Sequence, residues 1–389
     1  MNVAILIPEL LRGGAERAAK TLGDYLVGRG HRVYYFLFHE PAAGTGTYEV
    51  RGEVVCLGLA HCWEGETGQL PMFVNLLKAA GKYRAAKQKY RIDAAVSFMQ
   101  ECNYLNVLSK GRERTVTSVH SMTFGFSEMG DFRHYGSLLW LLNASDKIVP
   151  VGHAVAEELC GKYHVRQGKV RVISNPAMRR DGGREEAPWE HGGKAVVAIG
   201  RFSYEKQQDR IIRAFSYVRK RHPDARLLFL GEGRLEGYLR FVSRKCGMED
   251  AVCFEGFRQD VGYYLEHCAA FVMASLCEGF PNAMVEAMAH GAPVVTTDSP
   301  GDCGRIVGAG APCRDGIELC GYGILTPHME GKARLSEALG REETLLGKAI
   351  CMLLENPGMQ EEYHRRSLKR AESYSYDRIM RQWEEVLFP

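Results

Sequence analysis

Short apolar runs recur along the chain, separated by longer stretches of mixed character, and this alternation predicts the elements. In the first half, Val3 to Glu9, Arg32 to Phe38, Glu53 to Leu59, Ala94 to Met99, Thr115 to His120, Lys147 to Gly152 and Val170 to Asn175 read as strands. In the second half the strands are Ala195 to Gly200, Leu227 to Gly233, Val252 to Phe257, Ala270 to Ser275 and Pro293 to Asp298. Several of these runs are apolar throughout, as expected of parallel strands covered on both faces. Helical stretches lie between them, among them Gln208 to Arg221, and strands separated by helices imply an α/β protein with doubly wound parallel sheets. Arg179 to Gly193 breaks the pattern, being charged, rich in glycine and without a hydrophobic period, so it reads as a linker. It divides a domain of residues 1–178 from one of residues 194–375. From Leu335 the chain reads as helical, with Ser375 placed to cap a last helix, Asp377 to Leu387, that carries Met380, Trp383 and Leu387 on one face.

One predicted helix, Phe73 to Tyr90, is basic, carrying Lys78, Lys82, Arg84, Lys87 and Lys89, with Leu76, Leu77, Ala80, Tyr83 and Ala86 near one face. Such a helix can rest on anionic lipid, or its stripe can pack on the sheet as in any surface helix. The stripe has few large residues to insert, which favours packing. No apolar run approaches the roughly 20 residues of a membrane span, and strand residues begin at Val3, so neither a span nor a signal peptide is expected. The expected location is cytoplasmic, with the inner face of the cell membrane as the alternative. At 389 residues the chain can bury two full cores, and a net charge of +3 argues against a nucleic-acid partner. Twelve cysteines show no CxxC pair and no Cys/His zinc spacing, so they read as small buried hydrophobes in a reducing compartment. Cys277, Cys303, Cys313 and Cys320 fall near the stretch described next.

That stretch is Glu278 to Gly291, Glu-Gly-Phe-Pro-Asn-Ala-Met-Val-Glu-Ala-Met-Ala-His-Gly, set between two predicted strands. Gly279 permits close backbone approach, Pro281 fixes the turn, and Asn282 is a good N-cap for a helix whose first N–H groups then face the loop as an anion site. Glu278 in the loop and Glu286 on the helix can reach hydroxyls beside a phosphate, which together suggest a nucleotide sugar. The plain alternative is a capped helix with two solvated acids. After Ala195 to Gly200 come Arg201 and Lys206, cations that can clamp a diphosphate at a strand end or simply be solvated. In the first half, Leu11-Arg12-Gly13-Gly14-Ala15-Glu16-Arg17 is a glycine-rich loop between strand and helix. It lacks the G-x-G-x-x-G spacing of a dinucleotide site, and no acid ends the second strand. His120 ends a strand, where open α/β sheets place ligand-contacting groups. His153 reads as the cap of its helix.

The spacing Glu-x7-Glu around Gly-Phe-Pro-Asn, followed by Ala-His-Gly-Ala-Pro-Val-Val-Thr, resembles the signature of the family 4 retaining glycosyltransferases, which have the GT-B fold. The resemblance covers nearly the whole chain and is strongest from Ala195 to Asp298. It implies two Rossmann-like domains with a cleft between them and a final helix, 376–389, packed back on the first domain. It further implies that Glu278 contacts the donor sugar, that Gly279, Phe280, Pro281 and Asn282 hold sugar and diphosphate, and that Glu286 binds the nucleotide ribose. Arg201 and Lys206 would sit on the phosphates, and His120 near the reacting carbon. Gly13 and Gly14 would line the cleft, with Arg17 beside them. Gly231 would form a phosphate-side turn, and Phe257 and Arg258 would neighbour the base.

Family members usually need no metal. The chain offers no DxD-like acidic pair, so metal-independent transfer from a UDP-sugar, with no other cofactor, is expected. The Gly-Gly-Ala-Glu-Arg start and the Val-Ser-Phe strand resemble enzymes of lipid-linked or capsular glycan synthesis, which implies a polyprenyl-diphosphate-linked acceptor. Ser-Pro-Gly-Asp-Cys-Gly-Arg, carrying Asp302 and Arg305, departs from the family's usual turn and leaves the donor sugar open. A UDP-sugar epimerase of the same architecture, a catalytically silent sugar-nucleotide-binding module and a dehydrogenase are the rival readings.

Overall fold

In the first sheet, six parallel strands lie in the order β3-β2-β1-β4-β5-β6. They are β1 (Asn2–Leu6), β2 (Arg32–Leu37), β3 (Glu53–Cys56), β4 (Ala94–Phe98), β5 (Arg114–Val119) and β6 (Lys147–Pro150). The computed structural model describes residues 1–11, 13–40, 47–60, 69–122, 139–179, 194–331, 333, 335 and 338–389. The inner strands β1 and β4 are almost wholly buried, which explains their largely apolar character. Helices α1 (Gly14–Gly28), α2 (Gln69–Lys89) and α3 (Gln100–Leu108) lie between these strands in sequence, and α4 (His153–Tyr163) follows β6.

The second sheet orders seven strands β12-β13-β11-β10-β7-β8-β9. These are β7 (Ala195–Ile199), β8 (Arg226–Leu230), β9 (Val252–Phe254), β10 (Ala270–Met273), β11 (Val294–Thr297), β12 (Glu318–Leu319) and β13 (Ile324–Thr326), all parallel except β12. Helices α5 (Gln208–Arg221), α6 (Glu236–Lys245), α7 (Gly262–His267), α8 (Asn282–Ala289), α9 (Cys303–Val307), α10 (Arg341–Glu355), α11 (Pro357–Ala371) and α12 (Tyr376–Leu387) complete the chain. Phe202, Phe215, Phe229, Leu239, Val242, Leu346 and Ile350 belong to one core built from β7, β8, α5, α6 and α10.

The chain divides into two units. Unit 1 is Met1–Asn175 with Asp377–Pro389, and unit 2 is Pro176–Tyr376. Within unit 1, the Tyr25 hydroxyl donates to Glu384 at 2.8 Å, Arg29 pairs with the same carboxylate at 2.9 Å, and His31 stacks on Phe388 at 4.6 Å.

Several local expectations are corrected. Val170 to Asn175 forms no named strand; Val170 makes one bridge to Ile148, while Arg171 and Ile173 donate to the carbonyls of Ile148 and Pro150. Pro176, which lacks an N–H, follows directly, so the ladder goes no further. The regular helices after Leu335 begin only at Arg341. On α2, Leu77 is exposed whereas Lys87 is buried with Glu113, so the apolar stripe and the basic face divide differently from the expectation. His153 is the first residue of α4, and Gly152 occupies its cap position. The linker lies outside the described residues apart from Arg179, which pairs with Glu266 at 3.6 Å.

Candidate functional site

The second sheet reverses its strand order between β7 and β10, and such a reversal is where open α/β sheets bind ligands, at the carboxyl ends of the strands. Lys206 lies in the turn after β7 and Glu278 in the loop after β10. The Lys206 ammonium donates to Glu278 Oε1 at 2.6 Å, and Ser275 Oγ donates to the same oxygen at 2.6 Å. Main-chain bonds tie the two loops down. The Leu276 N–H donates to the Glu205 carbonyl at 2.7 Å and the Glu278 N–H to the Pro300 carbonyl at 3.0 Å. Gly301, with φ +135°, passes so close that a β-carbon there would lie 2.3 Å from the Glu278 carbonyl oxygen, which requires glycine. Burial alone would lower the Lys206 pKa, but the charge and hydrogen bond of Glu278 outweigh it, so the ammonium is held above its ordinary range. A cation therefore stands at the switch point at neutral pH.

Beyond Glu278 the chain turns into α8. Asn282 was expected as the N-cap, but it is the first helical residue and Pro281 holds the cap position. The turn also spends amides on itself: the N–H of Asn282 bonds Phe280 O at 2.9 Å, and those of Met284 and Val285 bond Pro281 O at 3.0 and 3.1 Å. Fewer donors are left for an anion than the sequence suggested. Phe280 is buried with its ring 5.6 Å from Tyr374, which makes it a packing residue, and Glu286 is buried one turn into the helix. Arg201 is exposed and makes no side-chain hydrogen bond or ion pair among the described residues, while its carbonyl anchors Gln208 Nε2 at 2.8 Å.

Gly231 follows β8, where a β-carbon would lie 2.2 Å from the Gly200 carbonyl oxygen, so the loops after β7 and β8 meet through bare backbone. Phe257 is exposed, its N–H donating to Glu232 Oε1 at 3.2 Å, and Arg258 is engaged within its own loop by Glu255 at 3.3 Å. The departing turn forms α9, with Asp302 buried at its start and 3.8 Å from Arg305. Burial pushes the Cys303 thiol up to about 12, which keeps it protonated at neutral pH. Among the described residues, His222, Cys351 and Glu355 form a group able to hold a metal ion, their donor atoms within 4.8 Å of one another. His222 precedes β8, at the sheet edge opposite Lys206 and Glu278.

In unit 1 the reversal falls between β1 and β4. Gly13 is the cap residue and Gly14 the first residue of α1, with the Glu16 carboxylate folded against Gly13; the neighbouring Arg12 lies outside the described residues. His120 follows β5, its Nε2 2.8 Å from Ser118 Oγ and its ring 5.2 Å from Phe98. Burial lowers its pKa to about 4, so the imidazole is neutral near pH 7. Two residues escaped the sequence. Ser275 looked like any residue ending a strand. Met99, at the end of β4, has φ 71° and ψ 154°, a conformation nearly reserved for glycine and a mark of stored strain beside a ligand edge.

Among solved structures, a sucrose-phosphate synthase from Thermosynechococcus elongatus superposes with a TM-score of 0.75 at 17% identity, covering 99% of this chain and 98% of that one. Anabaena HepE in complex with UDP superposes at 0.74 and 18% identity, covering 100% and 99%. The fold is GT-B.

Residues 12–177 match the model for Glycosyltransferase Family 4, and residues 180–316 match Glycosyl transferases group 1. The chain is thus similar to family 4 glycosyltransferases over its first half and to group 1 glycosyl transferases over much of its second.

Among curated relatives, an uncharacterized glycosyltransferase of Methanocaldococcus jannaschii is 29% identical over 198 residues, 49% of this chain and 48% of that protein. The chain thus spans about half the length of that relative. A Campylobacter jejuni N-acetylgalactosamine-N,N'-diacetylbacillosaminyl-diphospho-undecaprenol 4-alpha-N-acetylgalactosaminyltransferase is 25% identical over 307 residues, 76% of this chain and 80% of the relative.

Proposed function

We propose that the chain transfers a hexose or N-acetylhexosamine from a UDP-sugar to a hydroxyl of a polyprenyl-diphosphate-linked glycan, with retention of anomeric configuration, in cell-surface glycan synthesis. The observation that carries this reading is the Lys206 to Glu278 contact at a topological switch point, immediately before the start of α8. In transfer, the bond from the anomeric carbon to the diphosphate oxygen breaks while the acceptor oxygen bonds to that carbon and gives its proton to the departing diphosphate. Charge builds on the departing diphosphate. Lys206 and the uncommitted Arg201 are suited to neutralise it, and Glu278 to orient the sugar. A neutral His120 at the carboxyl edge of the first sheet can donate or accept a hydrogen bond to a ligand there. The acceptor assignment is supported by the Campylobacter relative's printed activity, and UDP as donor nucleotide by the HepE complex.

In this reading the cations replace a metal ion, and the first unit takes the acceptor, with peripheral contact to the membrane's inner face bringing it to lipid-borne glycans. No described helix is long and apolar enough to cross a membrane. The test is a panel of nucleotide sugars scored for binding and slow hydrolysis, then for transfer to a polyprenyl-diphosphate acceptor. One UDP-sugar should stand out and turnover should survive a chelator. Failure of every UDP-sugar to bind, or complete loss with chelator, would remove the assignment.

A further inference from the structure

Both hydrogen-bond donors that reach the Glu278 carboxylate use one oxygen. Lys206 Nζ and Ser275 Oγ each lie 2.6 Å from Oε1, whereas Oε2 has no hydrogen-bond partner among the described residues. A carboxylate has about four acceptor positions on its two oxygens, so this arrangement saturates one side and leaves the other to a ligand. The donors differ in freedom. Ser275 is fully buried just after β10, and among the described residues its hydroxyl bonds Glu278 alone. Lys206 has a long flexible stem and remains partly accessible, with 28% of its side chain exposed. An incoming diphosphate, with more negative charge than one carboxylate, competes directly for that ammonium.

We infer that Ser275 is the positioning residue of the site: it holds Oε1 of Glu278 when a nucleoside diphosphate sugar draws Lys206 away, so that Oε2 stays aimed at the sugar. Resting on the function proposed above, this adds the division of labour within the site. In the free protein the two donors are redundant. In the complex with donor substrate, the serine hydroxyl alone keeps the carboxylate from rotating. The main chain around Glu278, pinned through Pro300 O and packed on Gly301, fixes where the residue starts but leaves its side-chain torsions open.

The experiment compares S275A, S275T and E278Q with the unchanged chain. It measures steady-state transfer with the UDP-sugar found in the panel, UDP affinity by calorimetry, and the unfolding midpoint. S275A should lower kcat about tenfold to a hundredfold, the cost of a loosened reacting group, while UDP affinity and unfolding midpoint stay within about twofold and a few degrees. S275T, which keeps the hydroxyl, should recover most of the turnover. An unchanged kcat in S275A would overturn the inference, as would UDP affinity and stability falling in parallel with kcat, since that would make the serine merely structural. The underlying reading fails separately: if E278Q also turns over normally, Glu278 is not part of the chemistry, whereas a crippled E278Q beside a normal S275A refutes only the role of Ser275.

Discussion

Each unit contains a shielded lysine–glutamate pair, and the two pairs differ in ways that separate architecture from chemistry. Lys87 and Glu113 in unit 1 are both buried, and each precedes a strand, β4 and β5 respectively, which puts them at the amino edge of the sheet. Lys206 and Glu278 each follow a strand and so lie at the carboxyl edge. The protonation trends run in opposite directions. Burial dominates at Lys87 and lowers its pKa despite Glu113, whereas at Lys206 the attraction of Glu278 overcomes burial and raises it. The first pair is sealed against competitors. In the second, the lysine is partly accessible and a third group, Ser275, shares the acid, an arrangement suited to exchanging partners with a ligand. The same two residue types thus serve a wall or a working part according to the sheet edge at which they stand.

The contrast can be broken by removing one acid at a time. E278Q should lower turnover about a thousandfold and leave unfolding nearly unchanged, because a preorganised charge at the reacting centre is lost while the partly exposed lysine can turn to water. Transfer kinetics beside a denaturant melt check both halves. E113Q should do the reverse, costing about 3 kcal/mol of stability because Lys87 is left buried without a counter-charge, with kcat per folded molecule unaltered. If E113Q abolished transfer while the protein stayed folded, the division by sheet edge would fall.

The pH dependence sharpens the comparison on the first unit's carboxyl edge. His120 has a native pKa near 4 against an ordinary 6.5, so its stability contribution is complete above about pH 6.5 and is lost as pH falls through 4. That loss should amount to about 3 kcal/mol between those values and vanish in H120Q, measured by melts across pH. E286A should have the smallest effect, weakening UDP about tenfold by calorimetry with little change in kcat at saturating donor, as loss of a hydrogen bond to ribose would.

Periodicity reveals an element better than it reveals a contact. Helix α5 is legible end to end because Ile211, Ile212, Phe215 and Val218 repeat at helical spacing and all reach the core. The strands are equally legible where both faces are covered. Val170 to Asn175 has the composition of a strand yet makes one bridge, because pairing depends on a neighbour that composition does not name. Asn282 misled by a single position: a good capping residue next to proline does not say which of them stands outside the first turn. Lys87 looked like one more surface charge because its partner is 26 residues away in sequence. Glu278 and Lys206 could each be picked out by residue type and spacing, and the resemblance put both on one donor, but their direct ion pair, 72 residues apart in sequence, had no local signal. Ser275 carried no distinguishing signal at all, since its importance lies in which oxygen it touches.

Helix α12 has a consequence for how the chain is made. Unit 1 draws on both Met1–Asn175 and Asp377–Pro389, so unit 2 is inserted within it. Tyr25, Arg29, His31 and Arg114 leave the ribosome about two hundred and seventy residues or more before Glu384, Val386 and Phe388, the groups they contact. During synthesis the earlier-made unit must wait, one side unfinished, while the later one can already be complete. A nonsense codon near residue 376 would thus spare the half beside it and damage the half farthest away in the message.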